Sequence, residues 1–227
     1  MKPESQSGKF LNPTLLQEPS TALSLKKARQ MLEQFSLSDF LHDLLGPSAG
    51  VVLQETYRYL HLGMLIPPGM TPALFRRLLA EIDYDDHVAI FQSEVMTLEL
   101  CELTGRQSVP TTIYKAFRKP DPNGVRGIEL FAPEAEAETV RNWIAQGVGA
   151  HLGIGLRSRG AVNRVTDLCA SVGFKPPPFL KGRPALNTAE EILVFYLDGL
   201  VDSQALRLEF YHSLSECERA RGQGLLP

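Results

Sequence analysis

The chain is poor in the features that mark several protein classes. It has only three cysteines, Cys101, Cys169 and Cys217, an odd number set far apart. No Cys-x-x-Cys pair is present to hold zinc or to cycle between thiol and disulfide. A disulfide-stapled secreted scaffold is thereby excluded, and reduced thiols in a cytoplasmic protein are expected. An excess of one charge is also missing, since 23 Lys+Arg against 26 Asp+Glu give a formal net charge of -3. The basic side chains are dispersed rather than blocked, so neither nucleic acid nor an anionic membrane is expected as a partner. No apolar run approaches the roughly 20 residues that cross a bilayer. The opening Met1-Lys2-Pro3-Glu4-Ser5-Gln6-Ser7-Gly8 has no apolar stretch of the signal-peptide kind. These absences leave a soluble, cytoplasmic protein that works on a small molecule, with a homodimer as the candidate assembly.

What is present is ordinary globular composition, 44% apolar and 22% charged over 227 residues. Residues 1–20 are polar, broken by Pro3, Pro13 and Pro19, and read as a loose arm. Residues 21–50 read as two helices: Leu25, Ala28, Met31, Leu32 and Phe35 recur at helical spacing, then Leu37, Phe40, Leu41, Leu44 and Leu45 up to Gly46-Pro47. From residue 51 the pattern becomes strand, helix and strands, and then repeats. In the first copy, residues 51–132, Thr71-Pro72 starts a helix with Leu74, Phe75, Leu78, Leu79 and Ile82 on one face. Strand-like runs follow at 88–91, 96–103 and 111–117. In the second, residues 149–212, Val162, Val165, Leu168, Cys169 and Val172 form the matching helix face, closed by Gly173, and a strand run follows at 192–197. A linker helix over 133–148 carries Glu134, Glu136 and Glu138 in its first turns and stops at Gly147. Residues 213–227 are a short polar tail with room for one or two helical turns. The predicted fold class is α+β: two βαβββ modules forming a curved mixed sheet around a central cavity, preceded by N-terminal helices. Each half-sheet must bury a face, so the halves need each other or a second chain.

The two copies rhyme at the residues that carry chemistry. Tyr59-Leu60-His61-Leu62-Gly63-Met64-Leu65 is echoed by Gly149-Ala150-His151-Leu152-Gly153-Ile154-Gly155-Leu156, and Gly127-Ile128-Glu129-Leu130-Phe131 by Arg207-Leu208-Glu209-Phe210-Tyr211. Alternation along a strand puts His61 on one side with Gly63, His151 with Gly153 and Arg157, Glu129 with Gly127, and Glu209 with Arg207. Glycine weakens a strand interior, so its place beside each histidine is expected to leave room for a metal or a substrate. A glutamate on a buried face is costly unless paired or metal-bound. Two imidazoles with one or two carboxylates suit Fe²⁺, Mn²⁺, Co²⁺, Ni²⁺ or Zn²⁺. With all four side chains the site is formally neutral; without Glu129 it carries +1. Glu94, Glu99 and Glu102, in the run between Ile82 and Val109, are rivals for the fourth position.

A repeated βαβββ module with His on its first strand and Glu on its last resembles the vicinal oxygen chelate superfamily, which includes glyoxalase I, methylmalonyl-CoA epimerase, extradiol dioxygenases and fosfomycin or bleomycin resistance proteins. The run Phe117-Arg118-Lys119-Pro120-Asp121-Pro122-Asn123-Gly124-Val125-Arg126-Gly127-Ile128-Glu129-Leu130 is similar to the superfamily's ending of Asp-Pro-x-Gly followed by apolar-Glu-Leu. The second ending, Tyr196-Leu197-Asp198-Gly199-Leu200 through Leu208-Glu209-Phe210, is more degraded. The resemblance spans about residues 55–212 and implies His61, Glu129, His151 and Glu209 as metal ligands, with Glu129 or Glu209 moving a proton in a lyase or isomerase acting on a 2-hydroxy acid, 2-keto acid or carbonyl. A second reading is an Fe²⁺ dioxygenase with His61, His151 and Glu209 as its triad. Arg157 and Arg207 are the candidate substrate-binding cations. A third is a ligand-binding protein of the resistance type, which needs no catalysis.

Overall fold

The structure is a computed structural model that describes residues 21–84, 87–118, 124–188, 191–201 and 204–222. The arm at 1–20, the 119–123 portion of the motif before Glu129 and the end of the tail at 223–227 lie outside the described residues. Eight strands form one mixed sheet: β1 (Thr56–Leu65), β2 (His87–Gln92), β3 (Thr111–Phe117), β4 (Val125–Pro133), β5 (His151–Leu156), β6 (Ala185–Asn187), β7 (Ile192–Val201) and β8 (Gln204–Ser213). Their order is β2-β3-β4-β1-β5-β8-β7-β6. It is a palindrome of modules. In each copy the first strand pairs in parallel with the last, β1 with β4 and β5 with β8, and the copies meet through the antiparallel β1–β5 pair. The sheet curls enough for Lys115 on β3 to reach Glu216, which follows β8, at 2.7 Å. The curl creates the expected cavity.

Helices α1 (Thr21–Gln34), α2 (Leu37–Leu45), α3 (Ala49–Glu55), α4 (Pro72–Ala80), α5 (Glu94–Thr104), α6 (Ala137–Ala145), α7 (Arg159–Ser171) and α8 (Leu214–Gly222) complete the chain. The apolar stripe expected on α1 is buried, Leu25, Ala28, Met31 and Leu32 alike. Helix α1 lies against β1 and β4, and its Leu32 carbonyl accepts from Arg126 Nε at 3.2 Å. Arg126 alternates with the inward-facing Gly127 and Glu129, so the N-terminal helices cover the convex side of the sheet and leave its cavity free. Thr71 caps α4 by accepting from Leu74 N at 3.2 Å, and Gly173 follows α7 at φ 99°, both as the sequence indicates. The cysteines are free; burial pushes the Cys169 thiol up to about 12 and the Cys217 thiol up to about 11, which keeps both protonated and unreactive.

Besides β6, a three-residue strand that no run in the sequence indicates, two elements differ from expectation. The run at 96–103 is helical, part of α5, rather than a strand. Ser93 caps it by accepting from Met96 N at 3.0 Å, Glu94 sits in the first turn, and Gly105 ends it in the left-handed region at φ 66°. Its Met, Leu, Glu and Cys content satisfies an alternating pattern but includes a single β-branched residue, Thr97, and no aromatic one, where strands favour both. The second difference is a third N-terminal helix. Gly46 at φ 55° and Pro47 turn the chain into a short 3₁₀ segment and then α3, so the first strand begins at Thr56 rather than at residue 51. The linker helix likewise starts later, because Pro133 still belongs to β4.

Candidate metal centre

Register brings the histidines together before any ion is considered. Across the β1–β5 seam His61 pairs with Gly153 and Gly63 pairs with His151. A Cβ at Gly63 would stand 2.0 Å from the His151 ring, and one at Gly153 would stand 2.0 Å from the His61 ring. The room beside each histidine is therefore taken by the histidine of the other module. Both Nε2 atoms then face each other at 3.3 Å.

The two glutamates close the group. Glu209 Oε2 lies 2.7 Å from His151 Nε2 and 3.5 Å from His61 Nε2, and Glu129 Oε2 lies 3.6 Å from His61 Nε2. All four side chains are buried, and one donor atom from each falls within 4.8 Å of the others. Among the described residues this is the grouping that could hold a metal ion. Glu94 and Glu102 are exposed, and Glu99 is paired with Arg207. Arg207 also binds Asp198 through Nε at 2.6 Å and Nη2 at 3.1 Å, while Arg157 donates from Nε to the Thr56 carbonyl at 2.8 Å.

The donor set fits a divalent cation on two counts. The first is proton bookkeeping. His151 Nδ1 sits 3.0 Å from the Gly149 carbonyl, which can only accept, so a neutral His151 carries its hydrogen there and turns a lone pair toward Glu209. Glu209 Oε2 is correspondingly buried without a hydrogen-bond donor. A lone pair against a carboxylate oxygen at 2.7 Å requires a positive centre beside them, either a proton shared between the two or a metal ion. The second count is net charge. Lys115 Nζ, buried, lies 2.7 Å from Glu129 Oε1 and 2.7 Å from Glu216 Oε1. With neutral imidazoles, three glutamates and one lysine leave a buried charge of -2, which a divalent ion cancels and an empty apolar cavity would not tolerate.

Without a cation the charges distort one another. Burial opposes ionising Glu209, but the His151 and His61 imidazoles outweigh it and hold the carboxyl well below the usual range. For His61, burial works against protonation and Glu129 with Glu209 outweigh it, raising its affinity for a proton. Lys115 follows the same logic: burial pulls its affinity down, while Glu129 and Glu216 raise it above the ordinary lysine value and keep the ammonium charged. Glu216, in turn, is lowered by Lys115 against the opposing effect of burial.

Sequence reasoning passed over Lys115 and Glu216. The signal for Lys115 was available: a lone charge on the inward face of an apolar strand, in register with Glu129. Its ammonium lies among the rings of Tyr59, Phe117 and Tyr211, 5.3 to 6.0 Å from their centroids. Glu216 had no such signal, because it depends on α8 folding back, where Tyr57 donates to its Oε2 at 3.0 Å. The mouth of the site is narrow. Phe91, Ser93, Val95, Ile113, Phe131, Ile192, Val194 and Tyr196 surround Lys115, Glu129 and Glu209, and the space among them is about 20 Å³, enough for one water.

No protein-family model matches the chain, and no curated protein sequence matches it. Among solved structures it is similar to a variant of Streptomyces coelicolor methylmalonyl-CoA epimerase in complex with 2-nitronate-propionyl-CoA, at 14% identity and TM-score 0.41, over 69% of this chain and 93% of that one. It is similar also to methylmalonyl-CoA epimerase in complex with methylmalonyl-CoA and NH4+, at 14% identity and TM-score 0.41, over 71% and 96%. A mutant of 4-hydroxymandelate synthase from Streptomyces coelicolor matches at 11% identity and TM-score 0.39, over 69% of this chain and 48% of that one. The paired-module sheet itself is the architecture expected from the sequence. Among the described residues no helix is long and apolar enough to cross a membrane.

Proposed function

We propose that the chain is a divalent-metal-dependent enzyme of the glyoxalase-like type, acting by proton transfer on a small substrate with two neighbouring oxygens. The observation that carries this reading is the convergence, from two modules, of four buried donor atoms within 4.8 Å of one another. A divalent ion held by His61, His151 and Glu209 would supply Lewis acidity to the substrate oxygens. Glu129 is the proton carrier. Its Oε2 faces the histidines while Oε1 is held by Lys115, so the carboxylate is oriented and one oxygen stays available to take and return a proton. The surrounding apolar side chains exclude water, which strengthens every charge interaction inside.

The grip of Lys115 on Glu129 favours a second reading, in which the ligand set stops at His61, His151 and Glu209 and the metal is Fe²⁺ in an oxygen-using enzyme on aromatic or 2-keto acids. Elemental analysis of protein purified without chelator tests the site itself. Stoichiometric metal in the native chain and its loss in His61→Ala and His151→Ala are expected; retention in both variants would sink the site. Oxygen uptake with 2-keto acids then separates the two chemistries.

A further inference from the structure

Arg207 has a setting unlike that of the other described arginines. It precedes Glu209 by two residues on β8 and lies on the same face of the strand, its backbone roughly 7 Å from that of Glu209. Its guanidinium lies 5.5 Å from the Tyr196 ring centroid and 5.8 Å from that of Phe179, and the Tyr196 ring in turn packs against His151 at 5.3 Å. The plane is held on one side by the two-point contact with Asp198. Its remaining edge, Nη1, is occupied by Glu99 Oε1 from α5.

That last contact is poorly completed. Glu99 is buried, yet its second oxygen, Oε2, has no hydrogen-bond partner. A carboxylate with one oxygen satisfied and one orphaned is a weak closing contact. Helix α5 also supplies Val95, and Ser93 just before it, to the lining of the narrow cavity, and Glu94 at its start accepts from Thr188. Helix α5 thus carries both a wall of that cavity and the Glu99 carboxylate, so an outward shift of α5 would widen the cavity and separate Glu99 from Arg207 together.

We propose that Arg207 is the carboxylate-binding residue of this site and that Glu99 is an internal stand-in, displaced by the distal carboxylate of the substrate. The inference rests on the metal-site reading above and narrows its substrate class. A ligand whose 2-hydroxy or 2-keto carboxylate end lies at the histidines and whose second carboxylate reaches the guanidinium two residues along the same strand face is a short dicarboxylate. Arginine suits this role because its rigid fork presents two parallel donors to a planar carboxylate.

The test uses the Co²⁺-loaded full chain with L-malate and L-lactate, which share the 2-hydroxycarboxylate end and differ in the distal carboxylate. Binding is followed by calorimetry and by the visible absorption of the cobalt. Glu99→Gln should tighten malate about tenfold, the size of one charge-assisted hydrogen bond, and leave lactate unchanged. Arg207→Lys should remove the preference for malate while cobalt still binds. Equal gains for both ligands in Glu99→Gln, or an undiminished preference for malate in Arg207→Lys, would overturn the proposal. Failure of the native chain to bind cobalt would instead overturn the metal reading beneath it.

Discussion

Across the β3–β4 pair of the first module, Glu129 stands opposite Lys115; across the β7–β8 pair of the second, Glu209 stands opposite Tyr196. The two positions are equivalent in the repeat and chemically opposite. A buried ammonium shares the charge of Glu129 and ties down one of its oxygens, whereas Glu209 has both imidazoles and no lysine. On the proposed function the pair divides the labour that a symmetric site would duplicate, Glu209 holding the cation and Glu129 carrying the proton. The neighbouring slots diverge in the same way: Gly127 precedes Glu129 by two residues and makes room for the Phe117 ring, while Arg207 fills the corresponding place before Glu209.

The largest effects should come from exchanging the two carboxylates for amides. Glu209→Gln removes the charged oxygen shared by both histidines, so the protein should lose its metal, seen as loss of stoichiometric metal on elemental analysis. Glu129→Gln should keep the metal and lose turnover by about 10²–10⁴-fold, the usual contribution of a positioned general base, measured as solvent deuterium incorporation next to the substrate carbonyl. If Glu129→Gln strips the metal as completely as Glu209→Gln, the division of labour is wrong.

Removing the lysine attacks the comparison from the other side. Lys115→Met leaves Glu129 and Glu216 buried without their cation, and a loss of about 3–5 kcal/mol is expected in denaturant unfolding. Adding Glu216→Gln should recover part of it, because one of the two stranded charges is then gone. Equal stability for the single and double variants would show that the lysine holds the fold through its aromatic neighbours rather than through charge.

The glycine pair gives a smaller and more local effect. Gly63→Ala would press on the His151 ring and Gly153→Ala on that of His61, each change acting on the histidine of the opposite module. Metal affinity should fall about 10–100-fold in either variant, as for other changes that misplace a ligand, while turnover at saturating metal stays close to native. A competition titration against a chromophoric chelator reads the difference.

The site was legible where the repeat made it so. His61, His151, Glu129 and Glu209 could be found because each stands in an apolar strand and each has a counterpart, and strand parity placed all four on one side. What the glycines beside them do could not be read, since the ring that fills each gap comes from across a seam between residues distant in sequence. Glu216 was hidden for the same reason. The sheet was legible from its periodicity except at 185–187, where the three-residue β6 is too short to show a pattern, and at 96–103, where short apolar spacing fits a strand and a helix alike and only the flanking Ser93 and Gly105 decide. Overlooking that cap hid the element that closes the cavity.

Helix α5 is also where the modules part company most, because among the described residues the second copy has no helix between its strands β6 and β7. Its start depends on a single side chain. Ser93 is buried and its hydroxyl satisfies the Met96 amide, one of the donors that the first turn of a helix leaves open. Ser93→Ala should therefore cost about 1 kcal/mol, confined to this helix. The expected sign is faster amide hydrogen exchange across 94–104, with exchange in the β1–β5 seam unchanged. Because Val95 of α5 and its cap Ser93 line the cavity, the same loosening should speed the uptake of metal by stripped protein without changing its final affinity. Uniform acceleration of exchange throughout the sheet would mean that α5 is a piece of the core rather than a separable cover.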